Sequence, residues 1–432
     1  MRPQIERMYF AIEKLVVVSA FLYFMQAIIT VLTNPAHVTQ NAQYSDRLGL
    51  IQLFLVYGAA TIFMLPKRVR ILQAFEENPV LCCLLGLALV SCVWSPTPLF
   101  TLRRAIILLV TSAFGFYLGT RFEIRRQMRL LAHSLGFCIV LSVIFIVALP
   151  RYGVDLAIFR GAWRGVFYQK NVLGSYMTVA GITFLCVHTR SLAGLLVKYV
   201  GLAFSVLLLT GARAVGAYVV TAILILLIPF FRLLRLNWKK LMVVGTAALT
   251  ILGLAVAYVV SNADAFLQLL GKDSTFTARV PLWETVLTVS SSHRWWGYGF
   301  EGFWAANERA VWSMVLWKPA RSHNGFIDLL ADLGWLGLGL FALNTAIVAR
   351  RCLKLVTHEQ TLESQWPLLM LSLVLLYNVF ESNLMIENNF LWVLYVAITV
   401  STQRALSLSR TTVPLAEPEE ELLVAGCEPC PQ

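Results

Sequence analysis

Apolar segments long enough to cross a lipid bilayer recur along the whole chain. A transmembrane helix needs about 20 mostly apolar residues, and a scan at that length predicts about twelve spans. Charged residues make up only 13% of the chain, whereas a soluble domain usually has about 25%. We therefore predict an all-α, polytopic integral membrane protein. The predicted spans lie near residues 15–33, 48–65, 79–94, 105–120, 130–149, 172–188, 193–210, 214–231, 241–260, 325–348, 367–380 and 389–405.

The distribution of lysine and arginine predicts how these spans are oriented. Short cytoplasmic loops of membrane proteins retain an excess of basic residues. With the N-terminus inside, the inner segments carry most of them, including Arg121, Arg125 and Arg126, and the outer loops carry few. Both termini are then cytoplasmic, and the long segment 261–323 faces outward. Topology thus explains the net charge of +12, which gives no support to a nucleic-acid partner.

Three regions follow from this topology. Residues 1–150 form a scaffold of transmembrane helices with few polar residues in their cores. Residues 151–405 form a region that we interpret as catalytic, and its long loop at 261–323 is of a length that usually serves function. Within the loop, apolar residues at helical spacing predict an interfacial helix over 276–290. The tail at 406–432 is acidic and rich in proline, which predicts a disordered cytoplasmic segment.

Polar, titratable residues run directly into an apolar span at residues 318–340. Arg321 and His323 stand just before the predicted helix. Ser322 or Asn324 can cap that helix by accepting hydrogen bonds from its first free amides. The chemistry and the membrane boundary therefore meet at this junction.

Two further groups of cations lie on the predicted outer side. The segment 160–174 combines cations, aromatics and an asparagine before a span. It suits a sugar-phosphate head group through Arg164, Lys170 and Asn171, or it is an ordinary interfacial belt of basic and aromatic residues. Arg213 stands in a tight turn between two apolar spans, where it either faces a polar site or snorkels to water.

The outer loop 381–389 carries two acids and three asparagines but no cation. It can therefore orient arginines, bind hydroxyls or be a simple solvated loop. Arg103 and Arg104 also lie on the outer side, against the topology rule. They either bind lipid phosphate or only flank a span.

The cations and the histidine on the outer side predict transfer from a diphosphate. Arginines held around a diphosphate stabilise its charge as it leaves. A histidine, whose ordinary pKa is about 6.5, can take a proton from an incoming hydroxyl near neutral pH. The main rival is a transporter, but the predicted span cores lack the acidic residues and the mid-membrane Pro or Gly breaks that coupled transporters use.

Metal assistance finds no support in the sequence. It contains no Asp-x-Asp pair and no His-x-x-x-His motif. Asp328 and Asp332 share one helix face and can hold a cation together with a third ligand or pair with arginine, and we favour the pairing. We predict neither a metal nor a cofactor.

Four segments follow one another in an order typical of a known family. They are 164–174, which begins Arg-Gly-Val-Phe-Tyr-Gln-Lys-Asn; 270–283, which ends Thr-Ala-Arg-Val-Pro-Leu-Trp; 297–300, Gly-Tyr-Gly-Phe; and 322–338, which begins Ser-His-Asn-Gly. Together they resemble the motifs of the O-antigen ligase and polymerase superfamily, in particular its exopolysaccharide (succinoglycan-type) polymerases. The resemblance covers about residues 160–390.

The resemblance implies a GT-C-like, metal-independent, inverting glycosyltransferase at the periplasmic face of the bacterial inner membrane. Its donor is an undecaprenyl-diphosphate-linked glycan, and its other partners are the bilayer and, in some systems, further polysaccharide assembly proteins. Arg213 and Arg279 carry over as the arginines that hold the donor diphosphate, and His323 as the base. Alanines flank Arg213 where the family often has hydroxyl residues. We assign substrate binding to Arg321, Arg164, Lys170, Asn171, Asn324 and Asp328.

The acceptor is not defined by these motifs. A polymerase extends a lipid-linked repeat unit, whereas a ligase transfers the finished glycan to lipid A core with the same donor chemistry. We favour the polymerase and keep the ligase and a lipid or sugar transporter as alternatives.

Overall fold

The computed structural model describes most of the chain, and these residues fold almost entirely into α-helices. The described residues are 2–27, 47–156, 159–233, 276–315, 317–359 and 361–411. Within them, β-type pairing is limited to one isolated antiparallel bridge between Val154 and Trp163. The predicted all-α class is therefore confirmed.

The described residues form fifteen α-helices, joined by short turns. They are α1 Arg2–Phe24, α2 Arg47–Met64, α3 Arg68–Glu76, α4 Pro79–Val90, α5 Pro98–Arg121, α6 Ile124–Val147, α7 Pro150–Gly153, α8 Lys170–Cys186, α9 Leu192–Ala212, α10 Val215–Leu233, α11 Phe276–Val289, α12 Gly302–Met314, α13 Gly325–His358, α14 Leu362–Phe380 and α15 Phe390–Thr411. Proline near the first position begins α4, α5 and α7, because its fixed φ suits a helix start that needs no N–H donor.

Six of these helices are long and apolar enough to cross a bilayer, namely α5, α6, α9, α10, α13 and α15. A seventh span arises if Val56–Glu76 and Pro79–Val93, which meet at 98°, are taken together. The predicted span at 79–94 is thus a 12-residue helix followed by a 3-10 turn. The predicted span at 241–260 lies outside the described residues, and the count of about twelve stays a prediction.

The region boundaries drawn from the sequence meet the described residues only in part. Residues 261–275 of the long loop lie outside them. Helix α15 continues to Thr411, six residues into the segment assigned to the tail. The rest of the tail lies outside the described residues.

The helices run between two polar ends. We call one of them the basic end. The turn between α5 and α6 and the turn between α13 and α14 lie there. There the Arg121 guanidinium pairs with both oxygens of the buried Glu13, each N···O distance being 2.7 Å, and Arg125 pairs with Glu363 at 3.1 Å. The backbone N–H of His188 also donates to Glu363, which places the end of α8 here.

The opposite end, which we call the site end, follows from this arrangement. Because α8 and α13 reach the basic end with their C-termini, their N-termini lie at the site end. Helices α9 and α14 run the other way and end there, and α15 begins there. Every residue predicted to act on substrate is found at the site end or in the loops above it.

Small residues allow the central helices to pack closely. A Cβ on Gly115 of α5 would lie 2.7 Å from the Cβ of Val396 on α15, and one on Gly119 would lie 2.6 Å from Val400. Such close backbone approach is typical of helix pairs in membranes. The pair thus forms a rigid centre beside which the site-end loops are anchored.

A second, smaller core covers the site end. Helix α11 packs Leu282 and Val286 against Phe303 and Trp304 of α12 and against Ala331 of α13. The predicted helix over 276–290 is therefore confirmed as α11. Val280 and Leu287 of this helix are 45% and 42% exposed, whereas Leu282 and Val286 are buried against the protein, and the interfacial position of the helix stays a prediction.

Helix α13 is interrupted at Gly334, which adopts φ 65° and ψ −167°. A neighbouring loop takes over hydrogen bonds that the break would otherwise leave open: Trp335 N donates to Arg294 O at 2.9 Å and Leu336 N to Trp295 O at 3.2 Å. A Cβ on Gly334 would overlap the backbone of Trp295. Glycine is therefore required here by both φ and space.

Gly334→Ala is expected to lower the thermal unfolding midpoint of the purified protein in detergent. The substitution combines a left-handed φ with a backbone clash, which together cost about 1–3 kcal/mol. Gly339→Ala on the same helix is the matched control, because no atom lies within 4 Å of a Cβ at that position. Equal midpoints for the two variants would contradict this account of the break.

Candidate functional site

The segment before α13 fixes the position of His323. His323 itself adopts a left-handed φ of 54°. The indole N–H of Trp283 donates to Ser322 O at 2.9 Å, which ties the segment to α11. Asn324 caps α13 by accepting from Phe326 N at 3.0 Å and Ile327 N at 3.3 Å, as predicted. The candidate base therefore projects from a backbone that is held on both sides.

Glu381, which follows α14, joins three of the predicted site residues. Its Oε2 lies 2.9 Å from His323 Nδ1. Its Oε1 accepts from Asn171 Nδ2 at 3.0 Å and from Arg279 Nη2 at 3.4 Å. Arg279 also donates to the carbonyl of Phe380, so α11 is clamped to the end of α14. One carboxylate thus connects α8, α11, α13 and α14.

Sequence reasoning missed Glu381 as a site residue. It recognised only that the loop 381–389 can orient arginines, and that alternative is confirmed by the contact between Glu381 and Arg279. The signal in the sequence is an acid directly after an apolar span, at the same membrane end as the candidate arginines.

The electrostatics of Glu381 determine the part it plays in its hydrogen bond with His323. Burial alone raises the pKa of Glu381, but the hydrogen bond with His323 and the charges of His323 and Arg279 outweigh it and lower that pKa below its usual value. An ionised carboxylate can only accept hydrogen bonds. The Nδ1 of His323 therefore donates to Glu381, and in a neutral imidazole with Nδ1 as the donor the nitrogen that can accept a proton is Nε2.

The loop 381–389 is held in place along its length. Ser382 donates to the carboxylate of Asp328, Glu387 pairs with Arg104, and Asn389 caps α15 by accepting from Leu391 N at 2.8 Å. Glu381 is therefore part of a fixed loop. The pairing with Glu387 also accounts for Arg104, one of the two arginines that stand against the topology rule.

Arg213 lies beside this network with its guanidinium accessible. It ends α9 in a left-handed conformation, with φ 49°, and its carbonyl accepts from Lys170 Nζ at 3.3 Å. Asn171, which follows Lys170 in the chain, contacts Glu381. Arg213 is exposed, and within the described stretches it forms no ion pair with a carboxylate. Its charge is therefore available to an anion.

Two other predicted substrate contacts are used inside the protein. Arg164 is only 7% exposed; its guanidinium donates to Tyr152 O at 2.9 Å and Arg151 O at 3.3 Å, and burial lowers its pKa. Arg321 contacts both oxygens of Glu301 at 2.8 and 2.9 Å. Each guanidinium would have to leave these partners to bind substrate, so their assignment stays a prediction.

Asp328 connects two segments of the site. Its Oδ1 accepts from Ser322 N at 3.1 Å and from Trp304 Nε1 at 2.9 Å, and its other oxygen accepts from Ser382. These contacts tie the His323 segment and the Glu381 loop together. The position of Asp328 therefore accounts for the alignment of His323 and Glu381.

Comparison with known proteins points to one family. Residues 198–342 match the O-Antigen ligase family. The exopolysaccharide production protein ExoQ of Rhizobium meliloti (strain 1021) is 23% identical over 320 residues, which cover 69% of this chain and 71% of ExoQ. The resemblance to the O-antigen ligase and polymerase family is thereby confirmed. The matched family segment contains Arg213, Arg279 and His323, whereas Asn171 and Glu381 lie outside it.

Proposed function

We propose that this O-antigen ligase-like membrane protein is a glycosyltransferase that polymerises undecaprenyl-diphosphate-linked repeat units into an exopolysaccharide. The observation that carries the proposal is the contact of Glu381 with both His323 and Arg279, with the exposed Arg213 beside it. This arrangement supplies a base and two cations at one end of the helix bundle. The name of ExoQ, an exopolysaccharide production protein, supports polymerisation over ligation.

In the proposed reaction, an acceptor hydroxyl attacks the anomeric carbon of the donor sugar. Its proton passes to His323 Nε2, which the carboxylate of Glu381 keeps free to accept it. The bond between the anomeric carbon and the diphosphate oxygen breaks, and its electron pair leaves with undecaprenyl diphosphate. Arg213 and Arg279 stabilise the charge that develops on this leaving group. Attack from the face opposite the diphosphate inverts the anomeric centre.

The site end faces the periplasm in this proposal. The basic end carries Arg121, Arg125 and Arg126, and basic residues are retained in the cytoplasm. The donor lipid would then lie in the outer leaflet, with its diphosphate at the level of Arg213. This placement supports an inner-membrane enzyme whose product forms outside the cytoplasm.

Ligation is the second candidate, because the matched family is named for it. The donor chemistry is the same, and only the acceptor differs. Purified protein in liposomes, supplied with the lipid-linked repeat unit of its source bacterium and a chelator, separates the two. A ladder of longer lipid-linked glycans with release of undecaprenyl diphosphate supports the polymerase. Transfer that requires lipid A core supports the ligase, and no transfer to either acceptor would overturn the proposal.

Arg213→Lys is expected to lower kcat/KM for the lipid-linked donor by about 10- to 100-fold, the range of a lost charge-assisted hydrogen bond. Lysine keeps the charge but loses the planar fork that binds two phosphate oxygens together. Arg309→Lys, at an exposed arginine of α12, is the matched control and should leave kcat/KM unchanged. Retention of full activity by Arg213→Lys would remove Arg213 from the diphosphate site.

A further inference from the structure

The contacts of His323 restrict where an acceptor can lie. Its Nδ1 is occupied by Glu381, and one face of its ring stacks on the indole of Trp317, with centroids 5.6 Å apart and planes inclined by 29°. A hydroxyl bound to Nε2 therefore belongs to a group that sits beside the indole.

The segment that carries Trp317 is anchored, yet the indole is left open. The indole N–H of Trp312 donates to Pro319 O at 2.9 Å, and the Lys318 ammonium lies 5.3 Å from the centre of the Trp312 ring. Trp317 is nevertheless 37% exposed. By contrast, Trp283 uses its indole N–H to hold Ser322. The indole is thus held in place against the ring of His323, and part of its surface stays exposed beside the candidate base.

We propose that Trp317 is the platform on which the sugar ring of the acceptor stacks while its hydroxyl meets His323. The ligand class is a neutral sugar ring whose C–H face packs on the indole, because an aromatic side chain offers a flat apolar surface with a negative face. This inference rests on the proposed function and adds the acceptor subsite to it. The donor diphosphate is bound elsewhere, by Arg213 and Arg279.

Single glycosyl transfer to a soluble acceptor tests the proposal. The acceptor is the repeat-unit oligosaccharide as an alkyl glycoside without diphosphate, so donor and acceptor can be varied separately. Trp317→Leu is expected to raise the acceptor KM by about 3- to 10-fold, the range of an aromatic contact, with donor KM and kcat unchanged. Trp317→Phe, which keeps a smaller aromatic face, should fall between. Trp295→Leu is the control, since that tryptophan is 71% exposed and belongs to another loop.

Other outcomes overturn the subsite. An unchanged acceptor KM would show that the sugar does not touch the indole. A lower kcat with unchanged acceptor KM, or a shifted pH profile, would show that Trp317 only positions His323. If the wild-type protein transfers nothing, the proposed function fails, and calorimetric titration of the alkyl glycoside into wild-type and Trp317→Leu protein still decides the subsite. Equal affinities there would reject it.

Discussion

His323→Ala is expected to lower the rate of glycosyl transfer by about 10²- to 10⁴-fold, the usual contribution of a general base. The methyl group cannot accept the proton of the acceptor hydroxyl. Donor binding should persist, because Arg213 and Arg279 remain. The measurements are kcat for a single transfer in liposomes and the binding of the lipid-linked donor to the variant.

His293→Ala is the matched control for this prediction. His293 also lies at the site end, where its ring packs at a tilt of 43° against Tyr298 with centroids 4.3 Å apart and its Nδ1 contacts Ser292 at 2.9 Å. It has no contact with Glu381 among the described residues, so its loss should leave kcat unchanged. If His323→Ala retained more than a tenth of wild-type kcat, His323 would not be the base.

The helices themselves are predictable from the sequence because length and hydropathy are local properties. The span predicted at 193–210 appears as Leu192–Ala212, and that at 105–120 appears within Pro98–Arg121. The break at Gly334 is different. It depends on hydrogen bonds that the amides after Gly334 donate to the carbonyls of Arg294 and Trp295, and no local sequence pattern identifies an acceptor in another loop.

The residues of the site are predictable by type, but their contacts are not. Glu381 and His323 are separated by 58 positions, and Glu381 and Asn171 by 210, so only the packed bundle brings them together. Arg164 shows a second limit of sequence reasoning. A guanidinium that donates to backbone carbonyls and one that binds phosphate look the same in a sequence, and only the structure shows that Arg164 donates to the carbonyls of Tyr152 and Arg151.

Glu381→Gln tests the contact that the sequence did not predict, and its expected effect is as large as that of His323→Ala. Glutamine fills the same volume, but its amide can donate to Nδ1 of His323. The proton of the neutral ring then moves to Nε2, the atom that must accept. The analogous loss of a carboxylate behind a catalytic histidine in serine proteases costs about 10⁴-fold in kcat. We expect a loss of about 10²- to 10⁴-fold here, measured as kcat in the same liposome assay.

A control variant and a stability measurement separate this chemical effect from a general loss of structure. Glu359 pairs with Arg125 at the basic end, with an N···O distance of 3.3 Å, and its side chain is 53% exposed. Glu359→Gln should therefore leave kcat unchanged. Because the folded protein lowers the pKa of Glu381, ionised Glu381 stabilises the fold above the ordinary glutamate pKa of about 4.3. That contribution is lost as pH falls through the lower, folded value. The difference in unfolding free energy between wild type and Glu381→Gln should therefore shrink as pH falls below about 5. A difference that grew as pH fell below about 5 would mean that Glu381 is protonated in the folded protein, and His323 would then lack its carboxylate partner.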